Sequence, residues 1–179
     1  MRPSSPDANH GRDAHVDRPL QSGRVALRPT TEDDLAAFFA HQLDPEANRM
    51  AAFTAKDPAD LGAFLALWGR ILRDDAITKW TIISDGRVAG HIVGFQQFGK
   101  PSVCYWLGRE YWGRGIATEA LMQFLRHVTI RPLYARAAKD NIGSLRVLEK
   151  CGFKVSGESK GFSIARGVEV EEYILELTG

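Results

Sequence analysis

The sequence predicts an α/β fold in which a mixed, mostly antiparallel central sheet of about seven strands is flanked by about four helices. Three observations predict it. Short aliphatic and aromatic segments typical of strands alternate with segments whose apolar residues recur at helical spacing. Asp85-Gly86 separates two strand-like segments, which is a hairpin signal. A later strand–helix–strand order is typical of α/β sheets, and 179 residues fit a single domain.

The first half of the chain predicts one strand, two helices and a hairpin. Thr31 and Asp34 have capping-box spacing before the first helix. Asp57-Pro58 is typical of an N-cap followed by proline at the first helical position, and it predicts the start of the second helix. The expected elements are a strand at 24–28, helices at 35–43 and 58–72, and strands at 77–83 and 88–97.

The second half predicts a central strand, two helices and three further strands. The expected elements are the central strand Val103–Leu107, a helix at about 114–128, a strand at 133–138, a short helix from Asn141 that stops at Gly152, and final strands at about 153–160 and 168–177. Residues 1–23 are polar and lack an apolar leader segment, so we expect a disordered N-terminal tail before one domain at 24–179.

The turn between the central strand and its helix predicts a phosphate-binding cradle. Gly113 and Gly115 permit backbone conformations that are closed to other residues. The following helix presents unpaired N–H groups and the positive end of its dipole, and Arg114 could add a charge. The Walker pattern is absent, because no Gly-Lys-Ser/Thr follows, and the dinucleotide fingerprint also fails.

A second stretch, Asp140–Phe153, contains Asn-Ile-Gly-Ser and then Glu-Lys-Cys-Gly-Phe. In this order the two stretches resemble the GNAT superfamily of acyl-CoA N-acyltransferases. The turn resembles the Gln/Arg-x-x-Gly-x-Gly/Ala pyrophosphate motif, with Trp112 where many members have Gln or Arg. The tract from Tyr105 to Ala120 is most similar to the RimJ/RimL subgroup of ribosomal-protein N-terminal acetyltransferases. The resemblance spans about Arg24 to Leu177 and implies a GNAT-like form of the sheet predicted above.

The resemblance implies acetyl-CoA as co-substrate and direct transfer of its acetyl group to an amine, without a covalent enzyme intermediate. In the family a backbone N–H of the central strand faces the thioester carbonyl, and Leu107 matches that position. The residues that the resemblance assigns to the cofactor are Trp106, Leu107, Trp112, Gly113, Arg114, Gly115, Ile116, Ala117, Thr118, Asn141 and Ser144.

The acid that protonates the leaving thiolate departs from the family pattern. Many members carry a Tyr in the Asn-helix, and the matching position here is Leu148. The subgroup often has a serine three residues after the Asn, which is Ser144. We therefore expect Ser144 to stabilise or protonate the thiolate, and Asn141 to hydrogen-bond the pantetheine arm or its bound water.

The base is less defined by the sequence. Related enzymes often have a Glu three residues before the central-strand Tyr, and Ser102 stands there. His91 has a suitable unperturbed pKa of ~6.5, although a lone strand histidine is more often structural. The acidic stretch of Glu169, Glu171 and Glu172 offers alternatives. Cys104 lacks an activating histidine beside it, and the reaction needs no nucleophile.

The acceptor carries no motif. The α-amine of a protein or peptide is expected first, and a small amine such as an amino acid, polyamine or aminoglycoside is the close alternative. A catalytically silent acyl-CoA-binding domain and a nucleotide-binding module stay open as other classes. The resemblance places the first two helices beside the acceptor, so Phe39, His41, Phe53 and Trp68 could shape its selection.

Composition excludes several classes of partner. The net charge is +1, with 23 basic and 22 acidic residues and no block of one sign, so we expect neither nucleic acid nor a membrane surface as partner. No apolar run is long enough for a bilayer. Two cysteines without C-x-x-C spacing indicate a reducing, cytoplasmic compartment, and five histidines show no metal-ligand pattern. The final strands could pair across a homodimer.

Overall fold

The computed structural model describes residues 20–22 and 25–179. The strands are β1 (Leu20–Ser22), β2 (Val25–Pro29), β3 (Thr78–Ser84), β4 (Arg87–Gln97), β5 (Lys100–Leu107), β6 (Leu133–Ala138), β7 (Lys154–Ser163) and β8 (Val168–Leu177). The helices are α1 (Leu35–Gln42), α2 (Pro45–Ala51), α3 (Leu61–Arg73), α4 (Ile116–His127) and α5 (Ile142–Lys150). This confirms the mixed α/β fold, with one strand and one helix more than the sequence predicts.

One sheet in the order β1-β2-β3-β4-β5-β6-β8-β7 joins all the described strands. Every neighbouring pair is antiparallel except β5 and β6, which are parallel and share a single register pair, Ser102 with Tyr134. That pair lies near the N-terminal end of both strands. Beyond it β5 has a ladder partner only in β4, among the strands described.

The core fills both faces of the sheet. On one face Leu121 and Phe124 of α4 pack with Leu145 and Leu148 of α5. On the other face α1 and α3 contribute an aromatic cluster of buried residues, Phe38, Phe64 and Trp68 among them. Successive β5 side chains alternate between these two faces, and the buried Val103 and Leu107 belong to the α4/α5 face.

Polar contacts explain where two helices begin. Asp34 is 2% exposed, and its carboxylate accepts hydrogen bonds from Arg28 and from the N–H of Thr31, so the predicted capping box before α1 is present. The prediction that α3 begins at Asp57-Pro58 is wrong. Asp57 accepts from the N–H of Ala59 in a turn, and Asp60 caps α3.

The sequence patterns do not predict two of the elements, α2 and β1. Helix α2 carries the N-cap–proline signature instead, at Asp44-Pro45, but its seven residues are too few to display an apolar period. Strand β1 shows that the expectation of a disordered tail is wrong for its three residues, which pair with β2. A strand can add to the free backbone edge of β2 without an apolar pattern in its own sequence. The rest of the expected tail lies outside the described residues.

Candidate active site

A cleft of about 580 Å³ opens where β5 leaves β6. Helix α2, the turn after β5, the first turn of α4, and α5 line it together with the end of β5. Ten of the eleven residues assigned to the cofactor from the sequence lie on its wall, namely Trp106, Leu107, Trp112, Gly113, Gly115, Ile116, Ala117, Thr118, Asn141 and Ser144.

The glycine-rich turn presents the start of α4 to this cleft. Gly113 and Gly115 have φ angles of 70° and 76°, a left-handed conformation that side chains rarely adopt. The first backbone hydrogen bond of the helix runs from Glu119 N–H to Gly115 O. The N–H groups of residues 116–118 therefore have no acceptor within the helix, and they form a site suited to an anion.

Arg114 is the exception among the assigned residues. Its guanidinium binds Asp85 of the β3–β4 turn at 2.8 Å and lies outside the cleft lining. Arg114 is therefore directed toward Asp85 and not into the cradle in this structure, and its contribution of charge to the cradle stays a prediction. Two cations that sequence reasoning missed, Arg146 and Lys150, line the cleft instead. Neither forms an ion pair within the described residues, and their i, i+4 spacing on α5 was the available signal.

The backbone of Leu107 is oriented by the β4–β5 ladder. The N–H of Gly108 donates to Ala89 O at 2.9 Å, so the neighbouring pair, Leu107 with Gly90, is a non-hydrogen-bonded pair. The N–H and C=O of Leu107 consequently point away from β4, toward the side that β6 has left. The carbonyl accepts from Trp112 Nε1 at 3.1 Å, while the N–H faces the cleft side.

Two hydroxyl groups meet across the cleft. Tyr105 Oη lies 2.8 Å from Ser144 Oγ and also donates to the Ser144 carbonyl at 3.3 Å. Burial raises the pKa of the Tyr105 phenol well above its usual value, although the hydrogen bond to Ser144 opposes the rise. The phenol therefore keeps its proton at neutral pH. Sequence reasoning missed Tyr105, although its position two residues before Leu107 on the same face of β5 signals it.

Asn141 is held by the protein itself. Its Oδ1 accepts from the N–H of Ser144 as the N-cap of α5, and its Nδ2 donates to Met50 O at the end of α2. One lone pair and one N–H remain for a ligand. Leu148, the position where many relatives carry Tyr, is 1% exposed in the core and brings no polar group to the cleft.

His91 lies on the opposite face of the sheet, in the aromatic cluster. Its ring is 4.7 Å from Phe38 and 4.8 Å from Trp68, between ring centroids. Burial, with a smaller contribution from nearby His41, lowers the pKa of His91 to about 3. So weak a base is poorly matched to an ammonium ion, and the geometry favours a packing role.

The other positions considered for the base also have partners within the protein. Ser102 is buried and donates to Lys100 O. Glu172 binds Arg136 at 2.6 Å, while Glu171 faces Lys139 and Glu169 faces Lys160. Cys104 is solvent-exposed on β5, and direct transfer of an acetyl group to an amine requires no cysteine nucleophile.

The residues expected near the acceptor divide into two groups. Trp68 is buried, and Phe39 packs on Phe64 with ring centroids 5.1 Å apart, so both serve the core. Phe53 is 42% exposed beside the β7 strand. His41 contacts Gly108 at the end of β5.

Comparison with known proteins identifies the family. A family model described as acetyltransferase (GNAT) domain matches residues 24–154. The chain belongs to the GNAT family. A curated relative, the uncharacterized N-acetyltransferase p20 of Bacillus licheniformis, is 24% identical over 169 residues, covering 88% of this chain and 94% of the relative. The chain is accordingly an acetyltransferase.

Solved GNAT structures share the fold at low sequence identity. Spermidine N-acetyltransferase from Vibrio cholerae, solved with CoA and spermine, has a TM-score of 0.75 at 14% identity and covers 88% of this chain and 96% of its own. RimJ of Mycobacterium smegmatis, solved with CoA-disulfide, has a TM-score of 0.71 at 22% identity, covering 87% and 82%.

The described residues contain neither a metal-binding cluster nor a membrane-spanning helix. No group of three or more His, Cys, Asp or Glu side chains is placed to hold a metal ion at residues 20–22 or 25–179. No helix in the same part of the chain is long and apolar enough to cross a membrane.

We predict that His91 makes the fold acid-sensitive. Its folded pKa of about 3 lies below the ~6.5 of an unfolded histidine, so its contribution is present above pH 6.5 and is lost as pH falls toward 3. In His91→Phe the loss of unfolding free energy between pH 7 and pH 5 should shrink by about 2 kcal/mol. Urea unfolding at both pH values measures this, with exposed His127→Phe as the control. Equal losses in His91→Phe and wild type would contradict the assignment.

Proposed function

We propose that the protein transfers the acetyl group of acetyl-CoA directly to the α-amino group of a protein or peptide. The observation that carries the proposal is the composition of the cleft. One continuous cavity joins an anion-binding helix start, the outward-facing N–H of Leu107 and the Tyr105–Ser144 hydroxyl pair. These three parts match the three chemical demands of an acyl-CoA: its phosphates, its thioester carbonyl and its leaving thiolate.

Different elements of the fold would hold the pyrophosphate and the pantetheine arm of the cofactor. The N–H groups at residues 116–118 would bind the pyrophosphate. Arg146 and Lys150 would supply positive charge on the α5 wall, where no carboxylate of the described residues competes for them. Trp106 and the free capacity of Asn141 would contact the pantetheine arm.

The transfer would proceed by direct attack. The amine nitrogen forms a bond to the thioester carbonyl carbon, and the Leu107 N–H stabilises the negative charge that develops on the carbonyl oxygen. The carbon–sulfur bond then breaks, and the sulfur takes a proton from the Ser144–Tyr105 pair. This pair supplies the acid that Leu148 cannot, which favours an active enzyme over a silent acyl-CoA-binding domain.

The acceptor assignment rests on amine chemistry. An α-amine has a pKa of ~7.7–8.0, whereas a lysine-like amine has ~10.4, so an α-amine needs far less help to become nucleophilic. No buried carboxylate cluster for a polycation is found among the residues that line the described cleft. The RimJ/RimL-like motif and the structural likeness to RimJ support the same choice. A small amine is the second candidate, because the spermidine enzyme shares the fold.

We predict acetyl-CoA binding with preferential turnover of α-amines. Calorimetric titration with acetyl-CoA measures the first, and thiol release in the presence of N-terminally free tripeptides, their N-formylated controls, and spermidine measures the second. Turnover of the free tripeptides alone supports the proposal. Turnover of spermidine alone would indicate a small-amine acceptor in place of an α-amino group. Absence of acetyl-CoA binding would overturn the proposed function.

We predict that Gly115→Asp weakens acetyl-CoA binding at least about 100-fold, because a carboxylate would stand where the pyrophosphate belongs. Gly115→Asn is the matched control, since Asn has the same shape, tolerates the left-handed backbone and carries no charge. Calorimetry should find a much smaller loss for Asn than for Asp. Equal affinity in Gly115→Asp and wild type would remove the phosphates from this turn.

We predict that Ser144→Ala and Tyr105→Phe each lower kcat by about 10- to 100-fold, as expected for loss of part of a general acid. The acetyl-CoA Kd should change little, because neither hydroxyl contacts the phosphate site. The double variant should be little worse than either single one, since the two hydroxyls act as a unit. Ser156→Ala, on exposed β7, is the control. An undiminished kcat in both single variants would exclude the pair from the reaction.

A further inference from the structure

We propose that Glu110 receives the proton that the acceptor amine gives up, and that His41 positions Glu110 for this task. The inference rests on the proposed function and names the base that the sequence left undefined. Glu110 belongs to the short turn at Arg109–Tyr111 that follows β5, and His41 lies in the last turn of α1.

Gly108 brings both side chains to the reacting end of β5. A Cβ atom built on Gly108 would lie 2.6 Å from Nε2 of His41 and 2.9 Å from Oε2 of Glu110. Only the bare glycine leaves room for them. Gly108 follows Leu107 directly, and neighbouring Cα atoms are ~3.8 Å apart. The two side chains therefore lie against the residue that follows the amide proposed to bind the thioester carbonyl.

The two members of the pair have different surroundings. The Glu110 side chain is 63% exposed, whereas that of His41 is 10% exposed, and Nε2 of His41 lies 3.8 Å from Oε1 of Glu110. An incoming ammonium ion can reach the carboxylate, while the buried imidazole cannot be approached in the same way. At 3.8 Å the two groups are not hydrogen-bonded in this structure, and a shift of less than 1 Å, about the change that substrate binding can bring, would join them.

Burial favours the neutral form of His41. It lowers the pKa of His41 below its usual value, and the Glu110 carboxylate opposes the shift only in part. The other groups that face His41 are the Tyr111 ring, at 6.1 Å between centroids, and His91 on the same face of the sheet. Arg109 is directed to Asp44 at 3.8 Å. Neutral His41 can donate its Nε2 proton to the Glu110 carboxylate and so orient it.

The other titratable groups on β4 and β5 do not fit the role. His91 packs between the rings of Phe38 and Trp68, and burial raises the pKa of Tyr105, so that the phenol keeps its proton at neutral pH. Glu110 differs from them in being an exposed carboxylate in the turn that directly follows β5.

The proton balance is complete with these groups. An ammonium acceptor loses two protons as it becomes an amide. In the forward direction Glu110 takes one from the nitrogen and releases it to solvent after each turnover. The departing sulfur receives a proton from the Ser144–Tyr105 pair, which is restored by the second proton through solvent. The products are the acetylated amine, CoA thiol and one released proton.

The test is the pH profile of kcat/KM from pH 6.5 to 9.5, measured with the best tripeptide acceptor. Glu110→Gln should lose about 100-fold at pH 7, as is typical for removal of a general base. The loss should shrink toward pH 9, because the neutral amine then forms without help. His41→Gln should show a smaller loss with the same recovery. The acetyl-CoA Kd of both variants, measured by calorimetry, should match the wild type and verifies folding. Glu158→Gln, at an exposed position on β7, is the control.

The possible outcomes distinguish a failure of the Glu110 assignment from a failure of the proposed function. Wild-type turnover with an unaffected Glu110→Gln variant would overturn the base and leave the acetyltransferase intact. A loss that is constant across the pH range would also overturn it, because it indicates a purely structural role. Binding of acetyl-CoA by a wild type that acetylates no acceptor would overturn the proposed function and the base together.

Discussion

The separation of β5 from β6 is the constraint on which the site depends. A continuous parallel ladder would pair every N–H and C=O on this side of β5, and leaving such groups buried without partners costs about 1–3 kcal/mol each. Here the two strands share only the pair Ser102–Tyr134. Two features accommodate the exposed backbone of β5. Trp112 donates a hydrogen bond to the Leu107 carbonyl, and the Leu107 N–H faces a cleft in which a ligand can bind it. The gap between β5 and β6 therefore removes ladder hydrogen bonds and, at the same place, leaves an N–H free for a ligand.

The alternation of side chains along β5 then divides the chemistry between two faces. Tyr105 points to the α4/α5 face, where its hydroxyl lies 2.8 Å from that of Ser144, so the proposed acid lies on the same face of the sheet as these two helices. Gly108 is in register with Cys104 and Trp106 on the opposite face, where α1 brings His41. A proton donor for sulfur and a proton acceptor for nitrogen must not neutralise each other. In the proposed mechanism, strand β5 lies between the Ser144–Tyr105 pair and Glu110 and keeps the donor and the acceptor apart.

Sequence periodicity and capping were sufficient for most of the fold, because burial of apolar faces and satisfaction of helix ends are local demands. The capping box at Thr31 and Asp34 is an example. The prediction failed where the same local signal occurs twice: Asp44-Pro45 begins a helix, whereas Asp57-Pro58 forms a turn and leaves capping to Asp60. In α2 the side chain of Asn48, which is 5% exposed, donates to the carbonyls of Gln42 and Asp44 and so holds this helix against the end of α1. These hydrogen bonds are local, but the Asp-Pro dipeptide alone does not specify them.

The candidate site likewise has parts formed by neighbouring residues of the sequence, which were predictable, and parts formed by residues far apart in the sequence, which were not. The turn and the start of α4 lie within one stretch, so their lining of the cleft was predictable. The Ser144–Tyr105 contact spans 39 positions, and the Arg114–Asp85 pair, which directs a predicted cation away from the cleft, spans 29. Burial of Leu148 gives a physical reason why residue-by-residue transfer from a family can fail, because a side chain in the core brings no group to the cleft. The sequence motif pointed to Ser144 as the hydroxyl for the proposed acid, whereas its contact with Tyr105 of β5 is visible only in three dimensions.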